Sequence, residues 1–256
     1  MYKRQLHNHS YYSDGVFSPA EVVRFADEAG CDLFALTDHD TIDGLSEAHQ
    51  MADELSVNLV SGVEISALWR KMTIHIIGLD IDINNDVLKE GLNYNQKLRK
   101  ERAEKISLGL RRAGIKDALE KTQALSKTDM LTRTHFAQML IREGYCKDMK
   151  SVFRRFLTGR KPGASRVEWR SFDEVVGWIH AAGGQAVLAH PFRYRMTQTK
   201  IKKMLSDFKE VLGDGVEVVT ATSTYEEITL SNEWTCLLYT SPSPRDYAAS
   251  RMPSSA

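Results

Sequence analysis

Cysteine, proline and net charge are all scarce in this chain of 256 residues. Its three cysteines, Cys31, Cys146 and Cys236, have neither metal-ligand spacing nor an even number, so reduced thiols are expected and a disulfide-built fold is excluded. Cys31 reads as apolar filler between a helix and a strand. The 34 basic and 34 acidic residues cancel, which predicts no global electrostatic attraction to nucleic acid or to a membrane surface. No apolar run approaches the ~20 residues of a membrane-spanning helix, and no charged, apolar, small-residue leader opens the sequence. The expectation is a cytoplasmic protein. What is present, 42% hydrophobic residues, is enough to bury a full core.

The local pattern is punctuated. Ser18-Pro19-Ala20-Glu21 predicts a helix start, with the cap, a proline in the first position and an acid in the third, running to a stop at Gly30. Strand and helix patterns then alternate to about residue 80, which argues a parallel sheet or (β/α) barrel. From about Asp86 to Arg170 the strand signal disappears into Lys/Arg/Glu-rich helical stretches, broken at Gly114 and Gly144, before Phe172 to Ala182 restores the rhythm. The expected organisation is a barrel over 1–85 and 171–234, interrupted by a helical insertion over 86–170. Half of the six prolines fall in residues 235–256, a segment with neither helical nor strand period that reads as a disordered, non-native tail.

Histidines carry the chemistry. Of eight, five (His7, His9, His39, His75 and His190) sit in or at the ends of expected strands, whereas His49 and His180 fall in helical patterns and His135 near one. In a strand, His7 and His9 at i and i+2 point the same way and can serve one ion. Asp14 follows His9 by five residues. The apolar run Leu33-Phe34-Ala35-Leu36 ends on Thr37-Asp38-His39-Asp40, and Asn58-Leu59-Val60-Ser61-Gly62-Val63 ends on Glu64. Gln185-Ala186-Val187-Leu188-Ala189 ends on His190. Buried parallel strands deliver residues to a barrel rim in this way.

Those motifs in this order (Leu6-His7-Asn8-His9-Ser10 with Ser13-Asp14-Gly15, Thr37-Asp38-His39-Asp40-Thr41, Gly62-Val63-Glu64-Ile65-Ser66, His75-Ile76-Ile77-Gly78, Leu188-Ala189-His190-Pro191) resemble the PHP metallophosphoesterases. Arg133-Thr134-His135-Phe136, Phe156-Leu157 before Gly159-Arg160-Lys161-Pro162, and His190-Pro191-Phe192-Arg193-Tyr194 resemble the branch of nucleoside 3',5'-bisphosphate phosphatases and 5'-to-3' exoribonucleases. The resemblance implies a distorted seven-stranded (β/α) barrel of the α/β class. It implies two or three divalent ions: His7, His9 and bridging Glu64 for a first, Glu64, His75 and His190 for a second, Asp14 and His39 for a third. Manganese is the expected metal, and zinc and iron suit the same imidazole and carboxylate donors. Asp38 and Asp40 are candidate catalytic groups, flanking His39 to orient it or a water, or else capping the turn.

Substrate recognition is expected from Arg133, Arg193 and Tyr194, since arginine suits bidentate contact with phosphate. His135 either touches substrate or fixes the insertion helix. Between Lys147 and Arg170 eight basic residues face two acids, a local balance of +6 that reads either as a phosphate-collecting lid or as a solvated helix face. Trp169 is expected in packing rather than in base stacking. The implied partner is a nucleotide or short RNA, with no membrane and no protein partner. A histidinol-phosphate-type phosphatase is the alternative substrate assignment. The branch also closes its barrel with a strand bearing Asp-x-His, which is absent after Glu217, so a missing last strand and an inactive metal-binding fragment are the second alternative.

Overall fold

In the computed structural model, residues 3–55, 57–194, 196–220 and 223–238 are described. The chain opens on β1 (Arg4–Gln5), α1 (Pro19–Glu28), β2 (Leu33–Leu36), α2 (Leu45–Glu54), β3 (Asn58–Trp69) and β4 (Met72–Leu79). Helices follow: α3 (Asp86–Arg112), α4 (Ala118–Gln123), α5 (Arg133–Arg142) and α6 (Met149–Val152), the last running into a π-helical turn at Phe153–Leu157. Then come α7 (Phe172–Ala181), β5 (Gln185–Leu188), α8 (Gln198–Glu210), β6 (Gly215–Val216) and α9 (Tyr225–Leu238). Helix α1 begins as expected: the Ser18 side chain accepts from the Glu21 N–H, and the Glu21 side chain accepts from the Ser18 N–H.

The six strands form one sheet in the order β1-β2-β3-β4-β5-β6. It is mixed rather than all parallel. β1, β2 and β3 run parallel, β3 and β4 form an antiparallel hairpin, β5 is antiparallel to β4, and β6 is parallel to β5. The expected helix between the Glu64 and His75 strands does not exist. Trp69 and Met72 pair directly across Arg70-Lys71, and Arg70 takes the left-handed φ of 55° that a tight turn requires. The sheet curls strongly: His7 just beyond β1 and Glu217 just beyond β6, at opposite edges of the strand order, come within 3.1 Å. Six strands are seen among the described residues, and a seventh is not.

Two cores share one helix. On the sheet, Ile65, Ile76, Leu88, Leu92, Ile179 and Phe208 are part of one buried cluster; Ile106, Leu110, Phe136, Met139 and Leu140 are part of a second, within the helical layer. Helix α3 contributes Leu88 and Leu92 to the first and Ile106 and Leu110 to the second. Near its C-terminal end Gly109 lies against the Pro162 backbone, and a Cβ there would overlap the Pro162 carbonyl. Gly109→Ala is therefore expected to cost about 1–3 kcal/mol, read as a lower urea midpoint, despite alanine's better helix propensity.

The tail expected from residue 235 starts inside α9, a helix whose first turn is capped by Thr224 and Glu227 bonding each other's N–H groups. Trp234 in that helix is buried and stacks on Phe192, with ring centroids 5.5 Å apart. Residues 239–256, and with them the expectation of disorder there, lie outside the described residues.

Candidate metal centre

The sheet converges on one carboxylate. Glu64 is 1% exposed, in mid-β3, and its segment is locked to that of His39 by a parallel bridge in which the Glu64 N–H donates to the Asp38 carbonyl and the Asp40 N–H to the Glu64 carbonyl. Around Oε2 lie His7 Nε2 at 3.3 Å, His9 Nε2 at 3.2 Å and His39 Nδ1 at 3.0 Å. Around Oε1 lie His75 Nδ1 at 2.9 Å and His190 Nε2 at 3.0 Å. Asp14 stands further out, 3.7 Å from His9 Nδ1 and 3.9 Å from His39 Nε2.

The backbone reaches this arrangement by several routes. His7 and His9 lie past the end of β1 rather than within a strand, so strand alternation is not what aims them. Their loop is held by Asp38, which accepts from the Ser10 N–H at 2.7 Å, the Ser10 hydroxyl at 2.6 Å and the Ser13 hydroxyl at 2.6 Å. His75 sits inside β4. His190 ends the β5 segment in a left-handed conformation, φ 32°, which turns the chain into the short helical turn Pro191–Arg193. That turn brings back Tyr194, whose hydroxyl accepts from the His75 N–H at 2.7 Å, an amide that β5 has stopped short of pairing.

The electrostatics favour cations. Burial alone would raise the Glu64 carboxyl, but His39, His75, His7 and the bond from His190 hold it well below the usual carboxylate range. Burial pushes His7 down, yet Glu64 and Glu217 outweigh it and lift the imidazole to about 10. For His75 and His190 burial wins, and both are pushed down toward the neutral form that binds metals. Asp14 is held at about 2, burial opposing but His39 and His9 prevailing.

The donor set fits divalent ions. Two triads, His7-Glu64-His190 and His9-His39-Glu64, each keep their donor atoms within 4.8 Å of one another. The His39 Nδ1 atom is buried 3.0 Å from Glu64 without hydrogen-bond geometry, and the His7 and His9 Nε2 atoms face each other at 3.2 Å. Nitrogens gathered in this way around one carboxylate could offer their lone pairs to divalent ions in place of the protons they otherwise hold. The triads divide the ligands differently from the resemblance. The curl of the sheet stacks His7 on His190, with centroids 5.7 Å apart, so His7 shares a compact triad with His190 and His9 shares one with His39.

Of the roles expected for Asp38 and Asp40, their hydrogen bonds fit that of orienting neighbouring groups. Asp38 is occupied by the serines of the His9 loop. Asp40, fully buried, accepts from the Ser66 N–H and Asn95 on one oxygen and from Arg99 Nε at 2.6 Å on the other. Both are positioning groups behind His9, His39 and Glu64. His135 is likewise a capping residue: its ring nitrogen accepts from the Thr132 N–H at the start of α5. Tyr194 braces His75 from within the fold, and Arg193 lines a cleft with Glu217, Thr220 and Glu227 beside His190. Arg133 stands at the first position of α5, next to Thr134, whose hydroxyl donates to Asp14 at 3.1 Å. Trp169 is 4% exposed and covered by two arginines, which leaves no face for a base.

Sequence reasoning missed Thr134, Asn95, Arg99 and Arg102 as neighbours of the site. Glu217 bonds His7 Nδ1 at 3.1 Å and accepts from the His190 N–H at 2.8 Å, a bracing role for both histidines. Asn95, Arg99 and Arg102 had a signal: with Leu88, Leu92, Ile106 and Leu110 they continue one buried stripe of α3.

Comparison with known proteins shows the family of the chain. The PHP domain family matches residues 5–221. The chain is 40% identical over 224 residues to a 3',5'-nucleoside bisphosphate phosphatase of Chromobacterium violaceum, covering 87% of this chain and 79% of that one. It is 38% identical over 232 residues to a 5'-3' exoribonuclease of Haemophilus influenzae, covering 91% and 84%. Among solved structures, an amidohydrolase from Chromobacterium violaceum with bound sulfate and no metal superposes with a TM-score of 0.88 at 38% identity, over 91% of this chain and 82% of that one.

Proposed function

This chain belongs to the PHP domain family, and from that premise we propose that it is a metal-dependent phosphoesterase that removes the 3'-phosphate of nucleoside 3',5'-bisphosphates, degrades short RNA from its 5' end, or does both. The observation that carries the reading is Glu64 with five imidazoles on its two oxygens, three on one and two on the other. His7, Glu64 and His190 would hold one divalent ion and His9, His39 and Glu64 another, with His75 and Asp14 completing the shells. Manganese is the expected metal. Such ions supply Lewis-acid activation of water and neutralise charge on the phosphoryl oxygens.

The protein's own groups do the rest. Asp38, Glu217 and Tyr194 fix the ligands' orientations, so that little rearrangement is needed when charge develops. Residues 86–170 act as a lid whose α5 touches the centre through Thr134 and Asp14. Two relatives with different named substrates support one site serving monoesters and diesters, with the lid deciding what enters. Among the described residues no helix is long and apolar enough to cross a membrane.

The test is substrate profiling after reconstitution with Mn²⁺, Zn²⁺ or Fe²⁺. Phosphate release from adenosine 3',5'-bisphosphate, or mononucleotide release from a 5'-phosphorylated trinucleotide RNA, is expected to exceed release from histidinol phosphate. No turnover of either nucleotide substrate with any of the three metals would overturn the reading.

A further inference from the structure

Helix α3 sends a second arginine into the protein three residues after Arg99. Arg102 is 7% exposed, its Nε atom has no hydrogen-bond partner, and no carboxylate forms an ion pair with it among the described residues. Its guanidinium lies 5.4 Å from the centre of the Trp169 ring, and that of Arg99 lies 5.6 Å from the same ring. Arg133 is close enough that its charge, with that of Arg99, joins burial in pushing Arg102 well below the usual arginine range. One carboxylate, Asp40, serves this group, and Arg99 takes both of its contacts to Oδ2 at 2.6 and 2.5 Å. A buried guanidinium without a counter-charge costs several kcal/mol, so a fold that keeps one has an anion to place there.

We propose that Arg102, with Arg99 and Arg133, forms an anion subsite that binds the second, non-reacting phosphate of the substrate. The inference rests on the phosphoesterase reading for its substrate and on Arg102 alone for its location. Two contacts tie the subsite to the metal centre. Asp40, bound to Arg99, is the neighbour of His39; Thr134, the neighbour of Arg133, donates to Asp14. A substrate with two phosphates would then place one on the metal ligands and the other on the arginines. Arg99 also borders a cleft lined by Tyr12, Gln96, Lys100, Asp129 and Leu131. Arginine suits the task because its fork meets phosphate oxygens in pairs, and in a buried place such bonds are strong.

The discriminating variants are Arg102→Met, which keeps the stem against Trp169, and Arg102→Lys, which keeps the charge. For Arg102→Met, kcat/KM for adenosine 3',5'-bisphosphate is expected to fall about ten- to a hundredfold further than kcat/KM for adenosine 3'-monophosphate, the span of one lost charge-assisted contact. The loss should appear in KM. Arg102→Lys should recover part of it. Equal losses on both substrates would overturn the subsite. A second measurement separates it from a structural role and from the reaction itself: thermal melting of chelator-treated protein with and without millimolar inorganic phosphate. The parent is expected to gain melting temperature with phosphate. Arg102→Met is expected to melt higher than the parent without phosphate and to gain nothing from it. A lower melting point for Arg102→Met, with the phosphate effect intact, would make Arg102 a packing residue only. If no substrate is turned over, this second pair of results still decides the subsite while the reaction reading falls.

Discussion

Glu64→Gln is expected to strip the protein of divalent metal and to lower kcat by about three orders of magnitude or more, the several kcal/mol that metal-assisted charge stabilisation supplies. The substitution is nearly isosteric, but it removes the negative charge on which five imidazoles converge and replaces one carboxylate oxygen with an N–H₂ group, which has no lone pair to offer a metal ion. Both triads contain Glu64, so neither survives intact. Elemental analysis after dialysis and phosphate release on the same sample check the two halves together. Asp38→Asn should do less, because the loop carrying His9 keeps two of its three anchors in altered form. Full metal content with full turnover in the Glu64 variant would remove the two-ion assignment.

Asp40→Asn should give the largest loss of stability, about 3–5 kcal/mol, because breaking a buried ion pair strands the remaining charge. Here the stranded group is Arg99, 3% exposed and already beside the unpaired Arg102. The new amide would also turn a donor toward the Arg99 or Asn95 N–H groups it must accept from. Urea unfolding of metal-free protein measures the cost without interference from bound ions. Adding Arg99→Met to Asp40→Asn is expected to recover part of the stability, which a purely local packing defect would not allow. A loss below about 1 kcal/mol would mean that water reaches Arg99 freely, against its burial.

Much of the centre was legible because strands that end on a polar residue leave few places for that residue to go. His39 follows this rule, whereas β3 runs on past Glu64 to Trp69, so the strand expected to end there does not, though the two segments bridge one another directly. His190 follows it with an added left-handed turn that no spacing rule announces. The expected helix between Glu64 and His75 failed because Arg70-Lys71 carries none of the glycine or asparagine signals of a two-residue hairpin, and the turn's strain is borne by Arg70 instead. Arg99 and Arg102 were hidden for another reason: in a helix dense with Lys, Arg and Glu, two more charges look solvated. Their register gave them away only once Leu88, Leu92, Ile106 and Leu110 were seen to share their face. Asp38 and Asp40 sit where catalytic acids would sit in sequence, and only their bonding partners reveal that they hold the scaffold.

The membership of α3 in both cores limits how the protein can move. At 27 residues the helix is about 40 Å long, anchored by Leu88 and Leu92 at one end, by Ile106 and Leu110 at the other, and by Asn95 and Arg99 on Asp40 between them. A lid that swung open as a rigid flap would have to bend this rod in mid-span, where its bonds to the barrel are densest. Access to the centre must come from rotations of side chains and short loops around a fixed frame. Turnover should therefore be insensitive to solvent viscosity, and substrates too long for the standing opening should be excluded by size rather than admitted slowly.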